Sequence, residues 1–273
     1  MPSEFYPESA QGTFSPEDEE KMMKAIIDEL LNRPPTIGLI GVSGTGKSST
    51  INAMFRTNLA ISHVVACTKE FRDSDLKVIV KSGQAAGHEA VLRVVDAPGL
   101  GEDVALDPYY LDMYRKHLTR CDVILWVLTA RNRAVALDQI YLQKLLDLEE
   151  FRNKLVFGVN QVDLVEPVNW DTKINLPSRE QEANLDIILK DRRAKIESVV
   201  GRQVKMVAYS AKHKWQLQEL FTALVESAPQ RRAWIFGALK AFRPEDFLPD
   251  AAREGIMQLL EQQKSQKRGP FGR

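Results

Sequence analysis

The decapeptide "GVSGTGKSST", Gly41–Thr50, restricts the fold of this chain more than any other stretch. Two glycines bracket four residues and are followed by Lys47 and Ser48, directly after the apolar run "IGLI". Glycines let backbone N–H groups curl around a phosphate, the lysine reaches terminal phosphate oxygens, and the serine hydroxyl suits Mg²⁺. This chemistry works only where a buried strand delivers the loop to the start of a helix. The stretch therefore predicts strand, phosphate loop and helix, with a nucleoside triphosphate as ligand. Gly41, Ser43, Gly44, Thr45, Gly46, Lys47, Ser48 and Ser49 are its expected contacts.

Further apolar runs alternate with amphipathic stretches along the chain. Strands are expected at Ile37–Val42, Leu76–Val80, Val91–Val95, Val123–Leu128, Leu155–Val159 and Val204–Tyr209. Helices are expected at Lys47–Phe55, Pro108–Thr119, Leu137–Leu148, Ser178–Val199 and Lys214–Ser227. Several strands are almost wholly apolar, as strands buried on both faces must be. The second and third are joined by the short polar turn "KSGQAAGHE" and read as an antiparallel hairpin. That order predicts an α/β fold: a six-stranded, mostly parallel sheet with one antiparallel edge strand and helices on both faces.

Three further stretches lie at the ends of strands. "DAPGLG" places Asp96 to hold Mg²⁺ through water and Gly99 to bring an N–H to a γ-phosphate. "VFGVNQVDLVEP" carries Asn160, Gln161 and Asp163; a carboxylate accepts two parallel hydrogen bonds from guanine N1–H and its 2-amino group, and adenine offers no such pair. Asn160 is expected to brace the phosphate loop. In "YSAKH", Ser210 and Ala211 form a tight turn whose backbone N–H meets guanine O6, and Lys212 lays its stem on the base.

Phosphate loop, Asp-Ala-Pro-Gly, Asn-Gln-x-Asp and Ser-Ala-Lys, in that order, resemble the motifs of small GTPases, most of all the bacterial Era-like group of the TRAFAC class. The resemblance covers about Thr36–Ser227. It implies a Ras-type P-loop NTPase fold, GTP and Mg²⁺ binding, and slow hydrolysis coupled to a conformational switch. It also implies a switch threonine that closes on the metal, for which Thr68 in "HVVACTKEF" is the best placed. Lys47, Thr68, Asp96 and Gly99 are then the catalytic set, and Ser48, Thr68 and Asp96 the metal set. Three positions depart from the common spelling. Gln161 replaces a lysine that would cover the base, which predicts weaker affinity with guanine preference kept. Leu100 stands where a water-orienting glutamine serves Ras-like members, so turnover should need a partner or a dimer. Gly44 replaces the asparagine of potassium-activated relatives.

The remaining features set limits. Formal net charge is zero, so no global field draws the chain to nucleic acid or membrane. Cys67 and Cys121 fit neither a disulfide framework nor a zinc spacing, and no apolar run reaches the roughly 18–20 residues of a membrane span; a cytoplasmic location is expected, with no secretory signal. The four histidines, His63, His88, His117 and His213, show no metal-ligand spacing and read as structural or surface residues. "EPVNWDTKINLPSREQ" reads equally as a recognition insert or a plain connector.

The expected organisation is an N-terminal segment with a helix (1–33), a GTP-binding domain (34–230) and a C-terminal helical extension with a basic tail (231–273). "RRAWIFGALKAF" is expected to pack back on the domain in preference to touching membrane or RNA, and no KH-type RNA-binding domain is seen. The expected partners are GTP and GDP, a protein effector or activator of unknown identity, and a nucleotide-dependent second copy. The alternatives are a nucleotide-gated binding module with negligible turnover and a membrane-associated assembling GTPase.

Overall fold

The computed structural model describes residues 32–55, 71–79, 89–101, 107–131, 135–147 and 149–229, together with Glu17, Lys21, Lys24 and Arg232. The strands are β1 (Thr36–Ile40), β2 (Arg72–Ile79), β3 (Glu89–Asp96), β4 (Val123–Thr129), β5 (Leu155–Asn160), β6 (Trp170–Asp171), β7 (Leu176–Pro177) and β8 (Met206–Ala208). The helices are α1 (Lys47–Phe55), α2 (Asp107–Leu118), α3 (Ala136–Leu145), the short α4 (Glu149–Asn153), α5 (Arg179–Val200) and α6 (Leu217–Ser227), with a 3₁₀ turn at Val162–Leu164.

Six strands form one sheet in the order β2-β3-β1-β4-β5-β8, and β6 and β7 form a separate hairpin. Only the β2–β3 pairing in the large sheet is antiparallel; β1 pairs in parallel with β3 and β4, β4 with β5, and β5 with β8. The expected α/β architecture is the one observed, with an antiparallel edge hairpin.

Alternation along the strands divides the core in two. Ile37 and Leu39 of β1 and Val123, Leu125 and Val127 of β4 face α1 and α6, packing with Ile51, Met54, Leu220 and Leu224. Ile40 of β1 and Ile124, Trp126 and Leu128 of β4 face the other way, onto Tyr114 of α2, Leu142 of α3 and Ile196 of α5. Strands buried on both faces must be apolar at every position, which explains the unbroken hydrophobic spelling of β4. Burying each such side chain contributes on the order of 2 kcal/mol. Trp126, a core residue as its strand predicts, donates its indole N–H to Asp138 Oδ1 at 2.8 Å, and burial pushes that carboxyl up to about 6. Cys121 is also buried, and the apolar surroundings raise its thiol to about 12, so it is no nucleophile at neutral pH.

The ends of α5 follow its local chemistry. Ser178 accepts a hydrogen bond from Gln181 N, with Glu180 and Glu182 in the first turn, and Gly201 closes the helix in a left-handed conformation. At the opposite end of the sheet from the phosphate loop, Arg232 forms a buried ion pair with Asp122 (Nε to Oδ1, 2.9 Å) and donates to Arg33 O at 2.7 Å. Of the expected N-terminal helix, Glu17, Lys21, Lys24 and Asn32 are helical. Tryptophan 234 and the rest of the C-terminal extension beyond Arg232 lie outside the described residues. Among the described residues no helix is long and apolar enough to cross a membrane.

Candidate functional site

The C-terminal ends of the parallel strands deliver every described motif to one edge of the sheet, where α/β folds hold their ligands. The loop from β1 to α1 curls through left-handed backbone at Gly44 and Gly46 (φ +78° and +89°). A Cβ at Gly46 would run into the Asn160 amide nitrogen, so this glycine is required by space as well as by backbone angle. Thr45 Oγ1 closes the loop on Val42 O at 2.9 Å. Lys47, buried, lays its ammonium on Gly41 O at 3.0 Å and Val42 O at 3.4 Å, so the charge sits against the loop. Ser43 and Gly44 are exposed at the loop's crest, and Ser49 lies in the first turn of α1.

Ser48 donates its hydroxyl to Asp96 Oδ2 at 2.9 Å. Two hard oxygen donors thus converge beside the phosphate loop, a donor set that fits Mg²⁺ completed by phosphate oxygens and water. After Asp96 the chain runs alongside the phosphate loop. Leu100 N donates to Gly41 O and Ser43 N to Leu100 O, both at 3.2 Å, which fixes Gly99 beside the loop. The Tyr114 hydroxyl of α2 donates to Pro98 O and holds this turn from behind. Leu100 is 1% exposed and packs in the core, so its side chain points away from the phosphate side of the site.

The base-side residues are tied together more tightly than their sequence order suggests. Asn160 donates from Nδ2 to Thr45 O at 3.0 Å and accepts at Oδ1 from Ala211 N at 3.0 Å. It braces the phosphate loop, as expected, and links it to the Ser-Ala-Lys turn. Asp163, 4% exposed, accepts from Ser210 Oγ at 2.7 Å. Ser210 N donates to Trp215 O at 3.1 Å. The backbone N–H groups of Ser210 and Ala211 therefore both donate within the protein in this structure. Lys212 is exposed beside the turn. Gln161, in left-handed backbone, accepts from Thr129 Oγ1 at 2.5 Å and donates to Gly44 O at 3.1 Å. It serves as a strut between the end of β4 and the phosphate loop.

Thr68 and Cys67 lie outside the described residues; every other candidate residue falls on this one edge. Several supporting side chains have no local signature in the sequence. Thr50 Oγ1 bonds Gly46 O and the buried Tyr209 hydroxyl, both at 2.7 Å, locking α1 to the chain after β8. His213 stands with Nε2 3.9 Å from Asp163 Oδ2, and its ring stacks on Trp170. Neither contact is encoded by spacing, because each partner comes from a different element.

Comparison with known proteins agrees with this geometry. Residues 36–161 match the family described as 50S ribosome-binding GTPase. The chain is 35% identical over 160 residues to uncharacterized protein YfjP of Escherichia coli (strain K12), a match covering 58% of this chain and 51% of that one. It thus spans about half the length of that relative. Among solved structures it shares the fold of Toc33 from Arabidopsis thaliana, a dimerization-deficient R130A mutant (TM-score 0.57, 15% identity, 81% of this chain and 95% of that one). It also shares the fold of Aquifex aeolicus Era bound to GDP and AlF4⁻ (TM-score 0.52, 19% identity, 71% of this chain and 57% of that one). The sheet order, the motif-bearing edge and these likenesses together support a small P-loop GTPase domain.

Proposed function

We propose that this chain is an Era-like GTPase that binds GTP with Mg²⁺ and hydrolyses it to GDP as a conformational switch. The observation that carries the reading is the buried Asp163, bonded to Ser210 and set beside Asn160, which itself bonds the phosphate loop. A buried carboxylate in the turn after β5, bonded by the protein only to a neutral hydroxyl, suits a ligand with paired donors, and guanine supplies them. Gly41–Ser49 would cradle the phosphates, with Lys47 on the terminal oxygens. Ser48 and Asp96, joined by Thr68, would hold Mg²⁺, which neutralises phosphate charge when bound. Gly99 would sense the γ-phosphate. Asp163 would read the base, with Asn160, Gln161 and Ser210–Lys212 lining its pocket.

The buried Leu100 supports slow turnover in isolation: a side chain in the core orients no water. The missing help would come from a protein activator or a second copy of the chain. The same observation favours the second reading, a nucleotide-gated binding module with negligible turnover. In both readings residues 34–230 form the nucleotide-binding domain, flanked by terminal extensions, and act in the cytoplasm. Membrane contact through 231–242 is not favoured.

Equilibrium titration with GDP and ADP tests the ligand assignment. GDP should bind at least 100-fold more tightly, because adenine leaves the buried carboxylate unpaired; equal affinities would remove the base-pocket reading. Gly46→Ala should weaken GDP binding by roughly 5- to 150-fold, since left-handed strain and displacement of Asn160 cost about 1–3 kcal/mol. The same titration reads this loss.

A further inference from the structure

The segment between the 3₁₀ turn and α5 is neither a loose connector nor a free recognition arm. It folds into the β6–β7 hairpin, with Trp170 opposite Pro177 and Asp171 opposite Leu176. Trp170 turns inward. Its ring stacks on His213 (centroids 4.9 Å apart, planes at 18°) and meets Trp215 edge-on at 5.6 Å. Its indole N–H donates to Asn175 Oδ1 at 3.1 Å, and Asn175 Nδ2 donates to His213 O at 3.0 Å. His213 N donates to Ser210 Oγ at 3.1 Å, the hydroxyl that itself donates to Asp163 Oδ1. The imidazole is thus fixed in plane and in distance, with Nε2 3.9 Å from Asp163 Oδ2.

That distance is too long for a hydrogen bond, so a neutral ring leaves Oδ2 available to a ligand. A protonated ring adds a cation facing the same oxygen, and a small shift closes a charge-assisted bond. We propose that His213, held by the Trp170 hairpin, is a positioning residue for base recognition that competes with guanine for Asp163 when it carries a proton. The inference rests on the reading of Asp163 as the guanine contact.

The surroundings set the direction of the effect. Burial, the larger influence, holds the His213 pKa below the usual histidine range; Asp163 raises it and Lys212 lowers it. The hairpin faces the ring with Trp170 and Asn175, and the turn after β8 contributes Trp215, none of which titrates. The imidazole is therefore neutral at neutral pH and charges on acidification. Base donors occupying Asp163 remove the acceptor that stabilises the charged ring. By linkage, GDP binding must then lower the His213 pKa as much as protonation weakens GDP.

Two measurements on the full chain decide this. GDP affinity is titrated between pH 8 and pH 5.5 for wild type and for His213→Gln. Protonation of the nucleotide phosphates is common to both proteins and cancels in the comparison. Wild type should lose roughly three- to fivefold more affinity across that interval than the variant, because a pKa difference of about one unit between free and bound protein gives its full tenfold effect only below both pKa values. Independently, NMR titration of the His213 ring in wild type should show its pKa about one unit lower with saturating GDP, a readout that does not depend on the variant folding. Parallel affinity profiles, or a pKa unchanged or raised by GDP, would overturn the role of His213 while leaving Asp163 in place. No GDP binding by wild type at pH 8 would overturn both.

Discussion

Asp163→Asn should lower affinity for guanine nucleotides by on the order of 10²–10⁴ and confer binding of xanthine nucleotides. Guanine presents two adjacent donors, N1–H and the 2-amino group, and Asp163 presents two acceptors. Asparagine replaces one acceptor with an N–H₂, which then opposes the 2-amino group with a second donor. Xanthine has a carbonyl at that position and restores the match. Asp163 is buried and bonded on one side only by a neutral hydroxyl, so the penalty is taken away from bulk water and is large. Competition of XDP and GDP for the variant reads the outcome; unchanged GDP affinity would place the base elsewhere.

The second large effect concerns stability rather than binding. Arg232→Ala should destabilise the fold by about 3–5 kcal/mol, because it leaves Asp122 buried without its cation. Asp122 also accepts from Thr36 N at 2.9 Å, so it fastens the entry of β1 to the start of β4. Arg232 adds its bond to Arg33 O, which ties a residue five positions beyond α6 to the segment entering β1. Heat or urea unfolding would report the change, about 2–4 °C in melting temperature per kcal/mol for a chain of this size. Pairing Arg232→Ala with Asp122→Asn should recover part of the loss, since the uncompensated charge is gone. GDP affinity should be unaffected, because the pair lies at the opposite end of the sheet from the phosphate loop.

These two predictions differ in how far sequence alone leads to them. The placement of Asp163 was legible: an aspartate just after an apolar strand, in a chain with a phosphate loop, falls on the sheet edge that carries that loop. The strands and helices were legible for the same local reason, since apolar runs buried on both faces leave an unmistakable pattern. The Arg232–Asp122 pair was not, because its partners are separated by more than a hundred positions and neither has a distinctive neighbourhood. The C-terminal stretch beginning at Arg231 is expected to pack on its own domain; the docked Arg232 side chain agrees at the one position described there.

Leu100 and Gln161 show a second kind of gap. At both positions the sequence indicates what is missing from the common motif, and the structure shows what stands in its place. Leu100 is a core residue whose backbone runs beside the phosphate loop, and Gln161 bonds the crest of that loop at Gly44. The β6–β7 hairpin escaped notice because each strand is two residues long and carries no alternation to read. Its aromatic packing on His213 depends on tertiary contacts that no spacing rule encodes.

Release of phosphate from γ-labelled GTP under single-turnover conditions, at low and at rising protein concentration, tests the central claim most directly. With Mg²⁺ present, slow hydrolysis should appear in the isolated protein, accelerate with concentration if a second copy supplies the missing group, and disappear in Lys47→Ala. Tight GTP binding with no phosphate released at any concentration would contradict the hydrolytic switch and leave a nucleotide-gated binding module.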